Sequence, residues 1–327
     1  MSEPRSTPAA QPPGALRRLL KNRTAVAAMV ALGCVAFLAV LGPVVFPYSP
    51  EKVTPHSQHP PSWLPLSAEQ SRADLEHGGA VTAWQHPFGT DMNGRDLFSR
   101  VIQGARISLI VGLCGALVSF FVGTAYGLIA GYAGGRTDNV MMRFIEVLHS
   151  VPRLIIVIVA IFTFAPWLET TLHRTLPGIE GYAKIIILIL CLGLIEWLAM
   201  ARIIRGQVLA LKEQQFVLAA RALGQSHARI LVRHLLPNLI GVIVVYLTLT
   251  IPAVILDESF LSFLGLGIND PQASWGSLLS DGKNVINPIR SYWWLLLFPA
   301  AAMSVTLLAL NFLGDALRDA LDPRSRR

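Results

Sequence analysis

Between residues 202 and 238 the chain reads RIIRGQVLALKEQQFVLAARALGQSHARILVRHLLPN. This polar and basic stretch lies between two hydrophobic blocks that are each long enough to cross a bilayer. From Gln207 to Leu223 apolar residues alternate with charged and amide side chains, which favours an amphipathic helix at an interface. Gly224 is expected at a positive φ, Ser226 can cap a second helix, and Pro237 is expected to end it. The stretch is therefore predicted to be a helix, a glycine turn and a second helix.

The composition indicates an integral membrane protein. Of 327 residues, 53% are hydrophobic and only 14% are charged, against roughly a quarter charged in soluble domains. The net charge of +7 is spread over loops between apolar blocks, and no groove of basic and aromatic residues accompanies it. Nucleic acid is therefore not an expected partner. Cys34, Cys114 and Cys191 lie singly in hydrophobic runs and are expected to be packing residues.

The hydrophobic pattern predicts an all-α polytopic membrane protein with six transmembrane helices. The predicted spans are Ala25–Pro47, Ile107–Gly131, Met142–Trp167, Lys184–Ala201, Leu239–Phe263 and Trp293–Gly314. Small residues are frequent in the second span, which indicates a helix packed inside the bundle. The third span is expected to kink at Pro152-Arg153.

Five regions follow from this pattern. Residues 1–15 are predicted to be a disordered tail, 16–50 an interfacial helix and the first span, and 51–105 an external loop region. Residues 106–316 form the predicted core, which contains the loop at 202–238, and 317–327 form a C-terminal tail. Lys and Arg concentrate at the N-terminal flank, around Arg136, in the loop 202–238 and at the C-terminus. The positive-inside rule places these segments, and both termini, in the cytoplasm.

The order of small residues in the loop resembles that of a known family. Ala219-Ala220, then Gly224, then Leu236-Pro237 is similar to the Glu-Ala-Ala loop of binding-protein-dependent permeases, the membrane subunits of bacterial ATP-binding-cassette (ABC) importers. The chain departs from the family pattern at Leu218, where a Glu is usual, and at His234, where an Ile is usual. The alternative is an amphipathic connector that lies on lipid headgroups.

The resemblance implies that residues 202–238, here named the coupling loop, dock on an ATPase subunit. The residues expected to couple are Phe216, Ala219, Ala220, Leu223, Gly224 and Pro237. Three further segments are similar to the oligopeptide, dipeptide and nickel branch of the family: His86 to Arg100, Leu261 to Gly267, and Ser274 to Gly276. That branch implies a type I permease core with an additional N-terminal transmembrane helix, and import of peptides; nickel chelates and glutathione are the alternative substrates.

The family also implies partners. These are a second homologous permease subunit in a heterodimer, two ABC ATPase subunits, a periplasmic substrate-binding protein, and the lipid of the bacterial inner membrane. The sequence contains no Gly-x-x-x-x-Gly-Lys-Ser/Thr phosphate loop, so ATP and Mg²⁺ are expected on the ATPase subunits and no cofactor on this chain. It also lacks the His-Glu-x-x-His and Gly-x-Ser-x-Gly patterns of membrane proteases and lipases, so no enzymatic activity is expected.

Three acidic residues are candidates for the translocation path. Asp257 and Glu258 interrupt the fifth span, and Glu196 lies deep in the fourth. The alternatives are an external interface for the pair and a bond between helices for Glu196. No metal site is predicted: His56 and His59 have a suitable spacing on a helix, but the surrounding prolines favour a solvated loop.

Two other classes of function remain open. An ion-coupled secondary transporter would require inverted repeats, which the sequence does not show. A membrane scaffold without transport would leave the helix-glycine-helix pattern unexplained.

Overall fold

A computed structural model describes residues 15–46, 49–66, 71–72, 85–176, 178–285 and 291–321. The predicted disordered tail, apart from its last residue, and most of the predicted C-terminal tail lie outside the described residues. So do Pro47, the predicted end of the first span, and much of the external loop region between 67 and 84.

The described chain is all helical apart from its loops and one isolated bridge between Thr90 and Asp96. Its α-helices are α1 Ala15–Lys21, α2 Arg23–Val45, α3 Leu97–Ala133, α4 Gly135–Ser150, α5 Arg153–Thr175, α6 Ala183–Leu211, α7 Gln215–Ala222, α8 His227–Ile230, α9 Leu236–Phe263, α10 Trp275–Asn284 and α11 Trp294–Leu321. Six segments are long and apolar enough to cross a membrane: α2, α3, α5, α6, the run from α8 through α9, and α11. The predicted all-α architecture with six spans is confirmed.

The centre of the bundle is the close packing of α3 against α6. Glycines in α3 face α6, and a Cβ added to Gly127 would come within 2.5 Å of the carbonyl oxygen of Ala201 and 2.8 Å of Cβ of Ile204. A Cβ at Gly131 would meet Val208 at 2.8 Å. Only glycine permits backbones to approach this closely. The prediction that the second span packs inside the bundle is confirmed.

The third predicted span, Met142–Trp167, is wrong in its bounds. The chain instead forms an amphipathic helix, α4, which ends at Ser150, and a second helix, α5, which begins at Arg153. Pro152 separates them because proline offers no N–H to continue the helix. α5 extends past the predicted end at Trp167 to Thr175, with Pro166 inside it.

Two further expectations about helix ends are wrong. Pro237 does not stop a helix: it occupies the first turn of α9, where its missing N–H costs nothing, and a π-turn at Leu231–Leu235 joins α8 to α9. Asp257 and Glu258 do not interrupt the fifth span, because α9 continues to Phe263. The helix α10 was not predicted; it begins with a capping box at Ser274 and Ser277.

Both described ends of the chain lie at the same end of the bundle as the coupling loop, because Arg318 and Leu321 of α11 line one cavity together with Gln207 and Asn238. Leu19 of α1 and Ala25 of α2 pack against Ala316 near the end of α11. At the opposite end, here named the loop end, Phe46 contacts Phe98 at the start of α3 with ring centres 4.7 Å apart. The short helix predicted before the first span is confirmed as α1.

At the loop end, residues 49–66 pack against residues 85–96. The amide of Thr90 donates to the carbonyl of His59 at 2.9 Å, and the amide of Gln58 donates to the carbonyl of Asp91 at 2.9 Å. His59 is buried, so the expectation of a solvated loop at this position is wrong. Across the described residues, no group of three or more His, Cys, Asp or Glu side chains is placed to hold a metal ion.

Candidate functional site

The coupling loop folds as helix, glycine turn and helix, as predicted, but its first helix is divided. α6 continues to Leu211 and a turn covers residues 212–214. The separate helix α7 carries three of the residues expected to couple, Phe216, Ala219 and Ala220. Gly224 follows at φ 71°, which confirms the predicted positive φ. Its amide donates to the carbonyl of Arg221 at 2.9 Å and the amide of Gln225 to the carbonyl of Ala220 at 3.1 Å. This pair of bonds is a Schellman cap, which ends α7 and reverses the chain.

α7 has one face packed on the bundle and one face free. Val217 and Ala220 are buried in an apolar cluster with residues of α6 and α9. Phe216, Leu218 and Leu223 point the other way and are 40%, 45% and 80% exposed. Ala219 and Gly224 are exposed as well. Of the six residues expected to couple, five lie on the surface, whereas Ala220 anchors α7 to the bundle; the five are Phe216, Ala219, Leu223, Gly224 and Pro237.

Three contacts tie the coupling loop to the end of α3. The Lys212 ammonium donates to the carbonyl of Gly131 at 3.0 Å, and the Tyr132 hydroxyl lies 2.8 Å from Nδ1 of His227. The guanidinium of Arg221 lies 5.0 Å from the centre of the Tyr132 ring. Tyr132 was not identified from the sequence as a contact of the coupling loop. Its position at the end of a predicted span could have indicated this role.

Leu218 and His234, the two departures from the family pattern, lie in different parts of the coupling loop. Leu218 contributes an apolar side chain to the exposed face of α7. His234 faces the turn after α7, with Nε2 2.8 Å from the amide oxygen of Gln225. His234 therefore supports the hinge from within the loop.

A second group of polar residues lies between the spans. Nη1 of Arg153, at the start of α5, is 3.3 Å from Oε1 of Glu196 in α6, and Nη2 is 3.0 Å from Oδ1 of Asp257 in α9. Arg153, Glu196 and Asp257 are here named the ion-pair triad. The structure thus brings together two of the three acidic residues predicted for the translocation path, through an arginine that sequence reasoning treated only as part of a kink.

Glu258 points in another direction. It is fully buried and accepts hydrogen bonds from Ser108 of α3 at 3.0 Å and from Ser262, one turn later in α9, at 2.8 Å. Ser108 also accepts a bond from the amide of Trp275 at the start of α10. Glu258 therefore joins three helices, and in this conformation it does not reach the surface of the described chain.

Comparison with known proteins identifies the family. Residues 123–327 match the family described as the binding-protein-dependent transport system inner membrane component, and residues 14–61 match the N-terminal transmembrane domain of oligopeptide transport permease C. The chain belongs to the binding-protein-dependent transport permeases. The N-terminal match covers α1, α2 and the start of the loop that follows α2, and α2 is the additional span that precedes the core.

Individual relatives agree with the family assignment. The permease is 44% identical to the dipeptide transport system permease protein of Bacillus subtilis, over 96% of this chain and 86% of that protein. It is 43% identical to the oligopeptide transport system permease protein of Escherichia coli K12, over 95% of this chain and 91% of that protein. Among solved structures, an inward-facing MetNI methionine ABC transporter matches with a TM-score of 0.51 at 17% identity, over 69% of this chain and 98% of that one. That likeness concerns the fold alone.

At the loop end of the permease a cluster of arginines and aspartates joins distant parts of the chain. The Arg100 side chain is 1% exposed. Its Nη1 lies 2.5 Å from Oδ2 of Asp91 and 3.2 Å from Oδ2 of Asp281, and its Nη2 lies 2.8 Å from Oδ1 of Asp270. Arg95 binds the two oxygens of Asp270 with its two terminal nitrogens. Burial raises the pKa of Asp281, and the charge of Arg100 opposes that shift. The segment similar to the peptide branch thus fastens the start of α3 to the connection between α9 and α10. Asp96 also caps α3 by accepting a hydrogen bond from the amide of Ser99.

Proposed function

We propose that this permease is the membrane subunit of an ABC importer that moves dipeptides or oligopeptides across the bacterial inner membrane. The substrate class is supported by the relatives above, which are named as dipeptide and oligopeptide permeases. Nickel chelates and glutathione are the alternative cargoes of the same architecture. An ion-coupled carrier would not require the exposed coupling helix.

The observation that carries this proposal is the two-faced helix α7. Phe216, Leu218 and Leu223 form an exposed apolar patch at the end of the bundle, beside charged residues rather than along a span. Such a patch marks a surface for a protein partner. In the proposed complex each permease subunit presents this face to one of two ABC ATPase subunits, which bind ATP and Mg²⁺.

The proposed mechanism is alternating access. Closure of the ATPase pair moves α7, and the buried contacts of Val217 and Ala220 transmit the movement to α6 and α9. The bonds of Lys212 and Tyr132 extend this transmission to α3. The spans then reorient, and the path opens toward a substrate-binding protein docked on the periplasmic side.

One chain of six spans does not enclose a path by itself, and we propose a heterodimer with a second, homologous permease subunit. The ion-pair triad contributes Glu196 and Asp257 to the path. Glu258 lies behind them and holds α9 against α3. The two termini and the coupling loop are proposed to lie in the cytoplasm, with α1 resting on lipid headgroups.

Copurification tests this function. The tagged permease, solubilised in mild detergent, is expected to bring down two ABC ATPase subunits and a second permease subunit. The double variant Phe216→Ser/Leu223→Ser is expected to retain the second permease and lose the ATPases, because only the exposed face of α7 is changed. The matched control Leu256→Ser removes an exposed leucine from the side of α9. Uptake of peptides by the purified chain alone, driven by a proton or sodium gradient, would contradict the proposal.

A further inference from the structure

Within the ion-pair triad, Glu196 lies near the middle of α6, and Asp257 lies six residues before the end of α9. Glu196 follows Ala183, the first residue of α6, by thirteen residues and precedes Leu211, the last, by fifteen. At about 1.5 Å per residue the carboxylate is roughly 20 Å from either end of the helix. The break between α4 and α5 lies at the level of Glu196, because Arg153, the first residue of α5, contacts Glu196. The break is what allows Arg153 to stand at this depth as the first residue of a helix.

The charges of the triad do not cancel. When both carboxylates are ionised, they share a single guanidinium, which leaves one net negative charge. Within the described part of the chain, no other basic side chain forms an ion pair with Glu196 or Asp257. An uncompensated charge at this depth is costly, so a cation from outside the chain is expected to complete the group.

The triad is also accessible. The Arg153 side chain is 54% exposed, and Glu196 and Asp257 are 17% and 9% exposed. Val151 and Ile155 beside it are exposed apolar residues. A guanidinium facing hydrocarbon is unfavourable, which indicates that this face borders the path or the second subunit instead of lipid.

The two carboxylates are not equivalent. Asp257 is the more buried and makes the shorter contact with Arg153, whereas Glu196 is more exposed and makes the longer one. A ligand arriving from the exposed side therefore reaches Glu196 first, and Arg153 can keep its bond to Asp257.

We propose that the ion-pair triad is a binding subsite for the α-ammonium group of a peptide in transit, with Glu196 as the accepting carboxylate. This proposal rests on the proposed function. The ammonium supplies the missing positive charge and brings the four groups to neutrality. Because every linear peptide with a free N-terminus carries this group, the subsite is indifferent to the sequence of the peptide.

The test compares two labelled peptides in proteoliposomes that hold the complete importer and its unchanged binding protein. One is trialanine with a free amine and the other is N-acetyl-trialanine. The measured quantity is the ratio of their ATP-dependent uptake rates. Loss of one charged hydrogen bond corresponds to about tenfold, so Glu196→Gln is expected to lower this ratio by about tenfold. Since the binding protein is the same throughout, a change in the ratio reports on the permease.

Two further variants complete the design. Arg153→Gln removes the positive charge, leaves two negative charges and is expected to raise the uptake ratio. This change is opposite in direction to that of Glu196→Gln, so the subsite can still be tested if the complex with Glu196→Gln does not assemble. Glu51→Gln removes a negative charge from an exposed part of the external loop and is expected to leave the ratio unchanged.

An unchanged ratio in Glu196→Gln, or an unchanged or lower ratio in Arg153→Gln, would overturn the subsite. An equal loss of both peptides, together with weaker association of the two permease subunits, would also overturn it, because a residue of the neighbouring subunit would then supply the cation. If the wild-type complex takes up neither peptide in the presence of ATP, the proposed function fails instead.

Discussion

Gly224 shows how one residue sets the shape of the coupling loop. At φ 71° it adopts a conformation that other residues rarely accept, and a Cβ there would meet nothing within 4 Å. Gly224→Ala is therefore expected to cost about 1 kcal/mol from the backbone alone and to reduce transport mildly. Gly224→Pro cannot reach this φ and also loses the amide bond to Arg221. We expect it to insert normally, hydrolyse ATP and fail to transport, as measured by paired ATPase and uptake assays in proteoliposomes.

Gly206 provides the matched control for this prediction. It too has open space around it, but it lies inside α6 with an ordinary helical φ. Gly206→Ala should leave coupling unchanged and stabilise the helix by about 1 kcal/mol. Normal uptake in Gly224→Pro would count against a role for the hinge.

The role of Glu258 is tested by measuring the stability of the fold. Glu258→Ala leaves the hydroxyls of Ser108 and Ser262 without their acceptor in a buried site, at a cost of about 1–3 kcal/mol. Glu258→Gln keeps an acceptor oxygen and is expected to lose less. Thermal unfolding in detergent should rank wild type above Gln and Gln above Ala. Equal melting temperatures for Gln and Ala would show that the serine bonds do not stabilise the fold.

The packing of α3 on α6 gives a prediction at the level of helices. Gly127→Ala would force a Cβ toward the backbone of Ala201, which cannot yield as a flexible side chain can. We expect a loss of about 1–3 kcal/mol, seen as a lower melting temperature and lower yield of the assembled complex. Gly33→Ala in α2 is the control, because nothing lies within 4 Å of its added Cβ. A wild-type melting temperature for Gly127→Ala would mean that the two helices are not in close contact.

The sequence predicted the helices better than their breaks. Continuous apolar runs indicated six spans, since a bilayer sets their length. Pro152 was expected to kink one helix, yet it separates two. The first, α4, is amphipathic and packs on α6 through Ile145. The π-turn before Pro237 left no pattern in the sequence, because it depends on how α8 meets α9.

At the scale of the whole molecule, the orientation in the membrane can be measured. Variants free of Cys34, Cys114 and Cys191 with a single new cysteine should react with a membrane-impermeant maleimide from opposite sides. Ser226→Cys in the coupling loop is expected to react only in inverted vesicles, and Ser57→Cys in the external loop only in intact spheroplasts; both serines are exposed. Labelling of Ser226→Cys in spheroplasts would reverse the proposed topology.

The coupling loop was easier to predict from the sequence than the ion-pair triad and the Arg100 cluster. The coupling loop is local in sequence, so its helix, positive-φ glycine and second helix could be read from neighbouring residues. The ion-pair triad and the Arg100 cluster join residues up to 181 positions apart, and no local pattern specifies such contacts. Acidic residues in apolar runs pointed to Glu196 and Asp257, but Arg153 became visible as their partner only once three helices were packed together.

Both described ends of the permease lie beside the coupling loop, a consequence of the even number of crossings. In the proposed heterodimer, a gene fusion that links this chain to a second permease subunit of the same topology would therefore need only a flexible tether and no extra hydrophobic segment. Such a single polypeptide would contain the two permease subunits in a fixed ratio of one to one. Substitutions could then be made in one subunit while the other stays unchanged.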